Sequence, residues 1–191
     1  MNLLVSTAAA ATLSAALCTS ALAAPLMLTP ADPQPQGLSQ GLSVSYAKGA
    51  GGRSLGEAKS KLARMEAGDP LQGLSYVDTN EGDHVLTSDQ SEKLAAAISG
   101  YILFDAAGTY QLNFFSNDGL EATIGGQVVA LADDVRSCDP TGETEVEVPS
   151  AGWYALEATY FQRKGSACLM MDWDVGGAMA PVPDTAFGFV N

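Results

Sequence analysis

Apolar and polar residues alternate with a period of two through most of the second half of the chain, and helical spacing occurs in one place only. Ile98, Gly100, Ile102 and Phe104 share a parity, Ala107-Gly108 supplies a turn, and Tyr110, Leu112 and Phe114 resume the alternation. Beyond Asn117-Asp118-Gly119, Leu120, Ala122 and Ile124 alternate with Glu121 and Thr123. Gly125-Gly126 suits a tight primed turn, so Val128–Leu131 reads as the return strand of a hairpin. A polar excursion over 132–142 precedes Thr144–Val148, where Glu145 and Glu147 alternate with Val146 and Val148. Ser150-Ala151-Gly152 then turns the chain into WYALEATYF, and Lys164-Gly165-Ser166 turns it into ACLMMDWDV. Short strands separated by turn signals in this way predict an antiparallel sandwich or barrel.

The first half is less regular. Leu42, Val44 and Tyr46 make one short alternating segment. From Ser54 to Ala67 the period changes, with Leu55, Ala58, Leu62 and Met65 at three- and four-residue steps. Ser54 can cap the start with Glu57 three residues on, and Gly68 can end it, which predicts one short amphipathic helix. Its basic residues, Lys59, Lys61 and Arg64, read as a solvated face. Residues 24–40 hold four prolines and read as an extended leader without a core. Residues 177–191 read as a C-terminal tail.

Residues 3–24 are uncharged and built mostly of Ala and Leu. The small-x-small pattern Ala21-Leu22-Ala23 predicts a secretory signal peptide over 1–23, in preference to a transmembrane helix. No second long apolar run follows, so the cleaved product is expected to be free of the membrane, and secreted or periplasmic. Cys18 would leave with the signal. Cys138 and Cys168 remain, and two cysteines in an oxidising compartment most simply form one disulfide, the alternative being two separate buried thiols.

Composition narrows the function classes. With 22 acidic against 9 basic residues the formal net charge is −13, so nucleic acid is not an expected partner, because phosphate binding relies on Lys and Arg. One histidine excludes multi-His metal sites. His84 lies in a polar stretch and reads as a surface residue. There is no Gly-x-Ser-x-Gly elbow and no nucleotide-type glycine loop. The run Asp78–Asp83 has Gly fifth and Asp sixth, the reverse of a calcium loop's requirement. The chain is expected to be no enzyme.

Six motifs in order carry a family resemblance. Ala107-Gly108-Thr109-Tyr110 is a glycine-aromatic turn, and Ser116-Asn117-Asp118-Gly119 is a Ser-(Asn/Asp)-Asp-Gly loop. Ile124–Val129 is a glycine-containing hairpin. Pro149–Tyr154 contains Ala-Gly-Trp-Tyr at a strand opening, followed by Tyr160-Phe161 and by a last strand, Leu169–Trp173, ending in Trp. Together they resemble the domain family named for the fourteen-kilodalton fragment of anthrax protective antigen, with Gly41–Tyr46 as its first strand. The resemblance implies an antiparallel β-sandwich over 41–176, which with the one short amphipathic helix read from periodicity makes an all-β fold. It also implies a secreted module that binds carbohydrate without chemistry of its own.

In the family's yeast adhesins two consecutive Asp residues hold a calcium ion that binds sugar hydroxyls. Here the pair is Asn117-Asp118, so one carboxylate is kept and the site has lost a formal charge. Asn117 and Asp118 are the expected ligand-binding residues. Should their loop converge with Asp133 and Asp134, then Asp118, Asp133 and Asp134 would form an all-oxygen cation site. No cofactor is required by this reading, and Ca²⁺ is the cation the loops would take. The expected partner is a glycan or a cell-surface or periplasmic component. The alternative is a structural or protein-interaction module that binds no sugar.

Overall fold

The computed structural model describes residues 24–49, 52–174 and 176–191; the expected signal segment lies outside them. In chain order the strands begin with β1 (Leu26–Met27), β2 (Ser39–Gln40) and β3 (Ser43–Lys48). The helix α1 (Leu55–Lys61) follows, then β4 (Glu66–Ala67), β5 (Ser75–Tyr76) and β6 (Leu94–Phe104). Next come β7 (Gly108–Asn117), β8 (Gly119–Ile124), β9 (Gln127–Ala132), β10 (Asp139–Pro140) and β11 (Thr144–Val148). The last are β12 (Gly152–Gln162), β13 (Cys168–Asp174), β14 (Met179–Pro181) and β15 (Phe187–Phe189).

Two sheets face each other. The first runs β1-β11-β7-β13-β14, with β10 beside β7 and β5 beside β13; the second runs β2-β15-β6-β12-β8-β9, with β3 along β6 and β4 along β3. All pairings are antiparallel except that of β1 with β11. Alternation works as read. Tyr154, Leu156 and Tyr160 from β12 meet Tyr110, Leu112 and Phe114 from β7 in one buried core. Both glycines of the β8–β9 turn have positive φ, +54° at Gly125 and +80° at Gly126, as a primed turn requires.

The helix is shorter than its periodicity suggested. It ends at Lys61, passes through one 3₁₀ turn at Leu62–Arg64, and Glu66–Ala67 leaves to pair with Ser45 and Tyr46. Sheet pairing of the backbone there competes with one more helical turn and wins. Two acceptors fix its start. Ser54 Oγ accepts the Glu57 N–H at 3.3 Å, and Asp133, far along the chain, accepts the Leu55 N–H. Leu55 and Ala58 then bury against Ala47, Ala95 and Phe161, so α1 covers part of the outer face of the second sheet.

Two expectations about the ends are corrected. Residues 24–40 are not an extended segment without a core: Leu28 is 1% exposed, β1 pairs with Val146 and Glu147, and β2 pairs with β15. Nor are residues 177–191 a tail, since β14 joins the first sheet, β15 lies inside the second, and Phe187 is buried in the core. Both segments use strands of two or three residues, too short to show a period. Each gains its stability by adding to edges that longer strands have already formed.

Candidate ligand-binding loops

One end of the sandwich is built from the β7–β8 junction, the segment after β9, and the β12–β13 loop. The Cys138–Cys168 disulfide, with a Cα–Cα distance of 5.8 Å, ties the second of these to the start of β13. The predicted pairing is therefore present, and it closes the loop end on one side.

Asp118 is the hub of this end. The peptide bond between Asn117 and Asp118 is cis. The Asp118 N–H donates to Phe161 O at 3.0 Å. Its carboxylate accepts the Arg136 N–H on Oδ1 at 3.1 Å and the Arg163 N–H on Oδ2 at 2.6 Å. One side chain thus joins three loops. Burial pushes its carboxyl pKa up, opposed by the two backbone N–H donors and by the Arg163 charge. The next residue has to be glycine: a Cβ on Gly119 would lie 2.2 Å from the Phe161 ring and 2.9 Å from Ala132 O. Asn117 donates from Nδ2 to Ser166 Oγ at 3.1 Å, and its backbone carbonyl accepts the Tyr160 hydroxyl.

The proposed meeting of carboxylates does not occur. Asp133 turns to the start of α1, and Asp134 is exposed, 4.0 Å from the Arg136 guanidinium. Among the described residues Asp118, Asp133 and Asp134 form no three-carboxylate cluster. A calcium ion asks for six to eight oxygens and gains affinity from carboxylate count. Here one carboxylate faces the loops, each of its oxygens already accepts a backbone N–H, and the Arg163 charge acts on it. The loops therefore offer Ca²⁺ one engaged carboxylate, with the neutral Asn117 Oδ1 beside it. Asp78 lies near both Cys138 and Cys168, but sulfurs joined in a disulfide are not thiolate ligands.

The loop end instead concentrates polar groups without partners. Ser116 Oγ, Asn117 Oδ1, Gln162 Oε1, Arg136 Nε and Thr141 Oγ1 are all buried with no hydrogen-bond partner in the protein. Of these the sequence pointed only to Asn117. Nothing in the spacing of Ser116, Arg136, Thr141 or Gln162 marks them out, because the loops that gather them come from distant parts of the chain. His84 is exposed. Trp173, on β13, packs against Phe104 and Tyr110 with ring centroids 5.7 and 6.1 Å away. Trp153 lies at the far end of β12, its backbone N–H donating to Gln34 Oε1 at 2.8 Å.

No protein-family model matches this sequence, and no curated protein does. Solved structures do match its fold. The PA14 domain of the MpAFP antifreeze protein superposes with a TM-score of 0.67 at 18% identity, covering 84% of this chain and 96% of that one. A PA14 sugar-binding domain from an RTX adhesin gives 0.63 at 20% identity, covering 79% and 99%. The A domain of epithelial adhesin 6 from Candida glabrata, in complex with Galβ1-3GlcNAc, gives 0.67 at 11% identity, covering 86% and 93%. The chain has the PA14 fold, the one its motifs implied, and two of these neighbours are adhesin domains.

Proposed function

We propose that this chain is an exported, non-catalytic module that recognises a carbohydrate or another polyhydroxylated ligand through the loops around Asn117 and Asp118. The observation that carries the reading is the fold, shared with a sugar-binding adhesin domain and with an adhesin domain in complex with a disaccharide. The loops around Asn117 and Asp118 gather polar groups from three parts of the chain, and sugar hydroxyls supply donors and acceptors at once. Sugar-binding neighbours of the same fold support the ligand class. The disulfide and the apolar N-terminal segment support export into an oxidising compartment. Among the described residues no helix is long and apolar enough to cross a membrane.

The binding proposed is independent of calcium, because Asp118 serves the loops themselves. A glycan array probed with residues 24–191, in calcium and again in chelator, tests it. Equal binding in both buffers, lost in Asn117→Ala, is the expected result. A second reading, a structural or protein-interaction module, is favoured by the exposure of Asn117 and Asp118, only 7% and 2%. An array without a single hit selects it.

A further inference from the structure

The outer face of the second sheet is only partly covered by α1. Beyond the helix it is open, and alternation fixes which side chains stand on it. On β12 these are Trp153, Ala155, Glu157 and Thr159, the residues flanking the buried Tyr154, Leu156 and Tyr160. Ala155 pairs with Tyr101, Glu157 with Ser99 and Thr159 with Ala97 on β6, while Glu157 faces Thr123 on β8. Three cavities lie along this face. One of about 290 Å³ lies against Trp153 and Gln40. One of about 280 Å³ lies against Tyr101 and Ser99. One of about 250 Å³ lies against Thr123 and Thr159. The second and third share Ser99 and Glu157. From Trp153 to Thr159 a strand extends about 20 Å.

The chemistry of this trough is uneven. Two aromatic side chains, Trp153 and Tyr101, stand toward one end. The Trp153 indole lies over Gly188, where a Cβ would be 3.3 Å from its ring, and Gln34 holds its backbone through Nε2 and Oε1. Side-chain hydroxyls from Ser43, Ser99, Thr123 and Thr159 lie beyond. Two carboxylates border the trough and none of the residues lining the three cavities is basic. Glu121 is neutralised by Lys59 at 2.6 Å. The exposed Glu157, between the hydroxyls and the rings, has no ion-pair partner among the described residues.

We infer that this trough binds an extended glycan chain bearing free amino groups. Aromatic faces take the apolar faces of sugar rings, the hydroxyls and Gln40 take its hydroxyls, and Glu157 complements an ammonium group. Charge complementarity selects this occupant over a neutral or acidic chain, since an acidic one would meet Glu157 and a net charge of −13. The inference rests on the reading of the protein as a glycan binder, but it concerns a face remote from Asn117 and Asp118.

The test is titration of residues 24–191 with a glucosamine hexamer, its N-acetylated counterpart and cellohexaose, read by calorimetry and by tryptophan fluorescence. The amino hexamer is expected to bind at least about tenfold more tightly than the other two, and to weaken with salt as a charge pair does. Trp153→Ala and Glu157→Gln should each weaken it by about tenfold, with thermal unfolding showing that both variants are folded. Equal affinity for all three hexamers overturns the inference, and so does equal displacement by a tri-lysine peptide, which would indicate charge alone. Loss of binding in Asn117→Ala but not in Trp153→Ala would overturn the trough and leave the loop site standing. If none of the hexamers binds, the trough is excluded, while hits elsewhere on the array would still support the loops.

Discussion

Asp118 Oδ2 accepts the backbone N–H of Arg163 at 2.6 Å, so a side chain at the β7–β8 junction holds the loop that follows β12. Through Oδ1 it also holds the segment after β9. In this chain the acidic residue of the Asn-Asp-Gly loop is a fastener between loops. Asp118→Ala leaves two N–H donors without acceptors and should cost about 2–4 kcal/mol, measured by urea unfolding. A loss under half a kilocalorie would show that the hydrogen bonds contribute nothing to the fold.

The same carboxylate gives a pH dependence of defined sign. Burial raises its pKa in the folded state above the usual 3.8, so the folded protein binds this proton more tightly than the unfolded chain. The group's contribution is therefore most favourable below 3.8 and declines as pH rises through the folded value. Asp118→Asn cannot titrate. Unfolding free energies taken across the acid range should show wild type losing ground to Asp118→Asn as pH increases; the opposite slope would contradict the assignment.

Cys138→Ser removes a crosslink between positions 30 residues apart, for which loop entropy suggests about 3–4 kcal/mol. The wild type should therefore melt at a clearly lower temperature in reductant than without it, while Cys138→Ser melts at the same temperature in both. A wild type indifferent to reductant would show that the bond does not form.

Calcium at millimolar concentration should leave the melting temperature unchanged, because the loops present a single carboxylate already engaged by backbone amides. A rise of several degrees, reversed by chelator, would return Asp118 to the role of a metal ligand.

Leu28→Ala should destabilise by about 2–5 kcal/mol, as truncation of a buried leucine does, and deletion of residues 24–40 should abolish cooperative unfolding. A protein that unfolds cooperatively without them would show that β1 and β2 are accessory.

The sandwich was legible where strands are long. Two-residue alternation across Ile98–Phe104, Tyr110–Phe114 and Tyr154–Tyr160 locates the core faces, and Gly125-Gly126 locates a hairpin. Leu28 was hidden because a single buried leucine between prolines has no period. Phe187 and Phe189 were hidden because three residues cannot show one. Of the loop end, the sequence offered Asn117 and Asp118 and the cysteine pair. It could not offer the partners of Asp118, since these are the backbone N–H groups of Arg136 and Arg163, and a backbone group leaves no trace in residue type. The separation of Asp133 from Asp118 was equally hidden, because Asp133 is drawn to the N-terminus of a helix almost eighty positions earlier.

The position of Phe187–Phe189 bears on the order in which the protein can be assembled. This segment lies between Ser39–Gln40 and Tyr101–Ile102, so it separates pieces of chain made long before it. Until synthesis has passed residue 189, the second sheet lacks an interior rung and β2 has nothing to pair with. Completion of the sandwich is thereby postponed until that stretch is available.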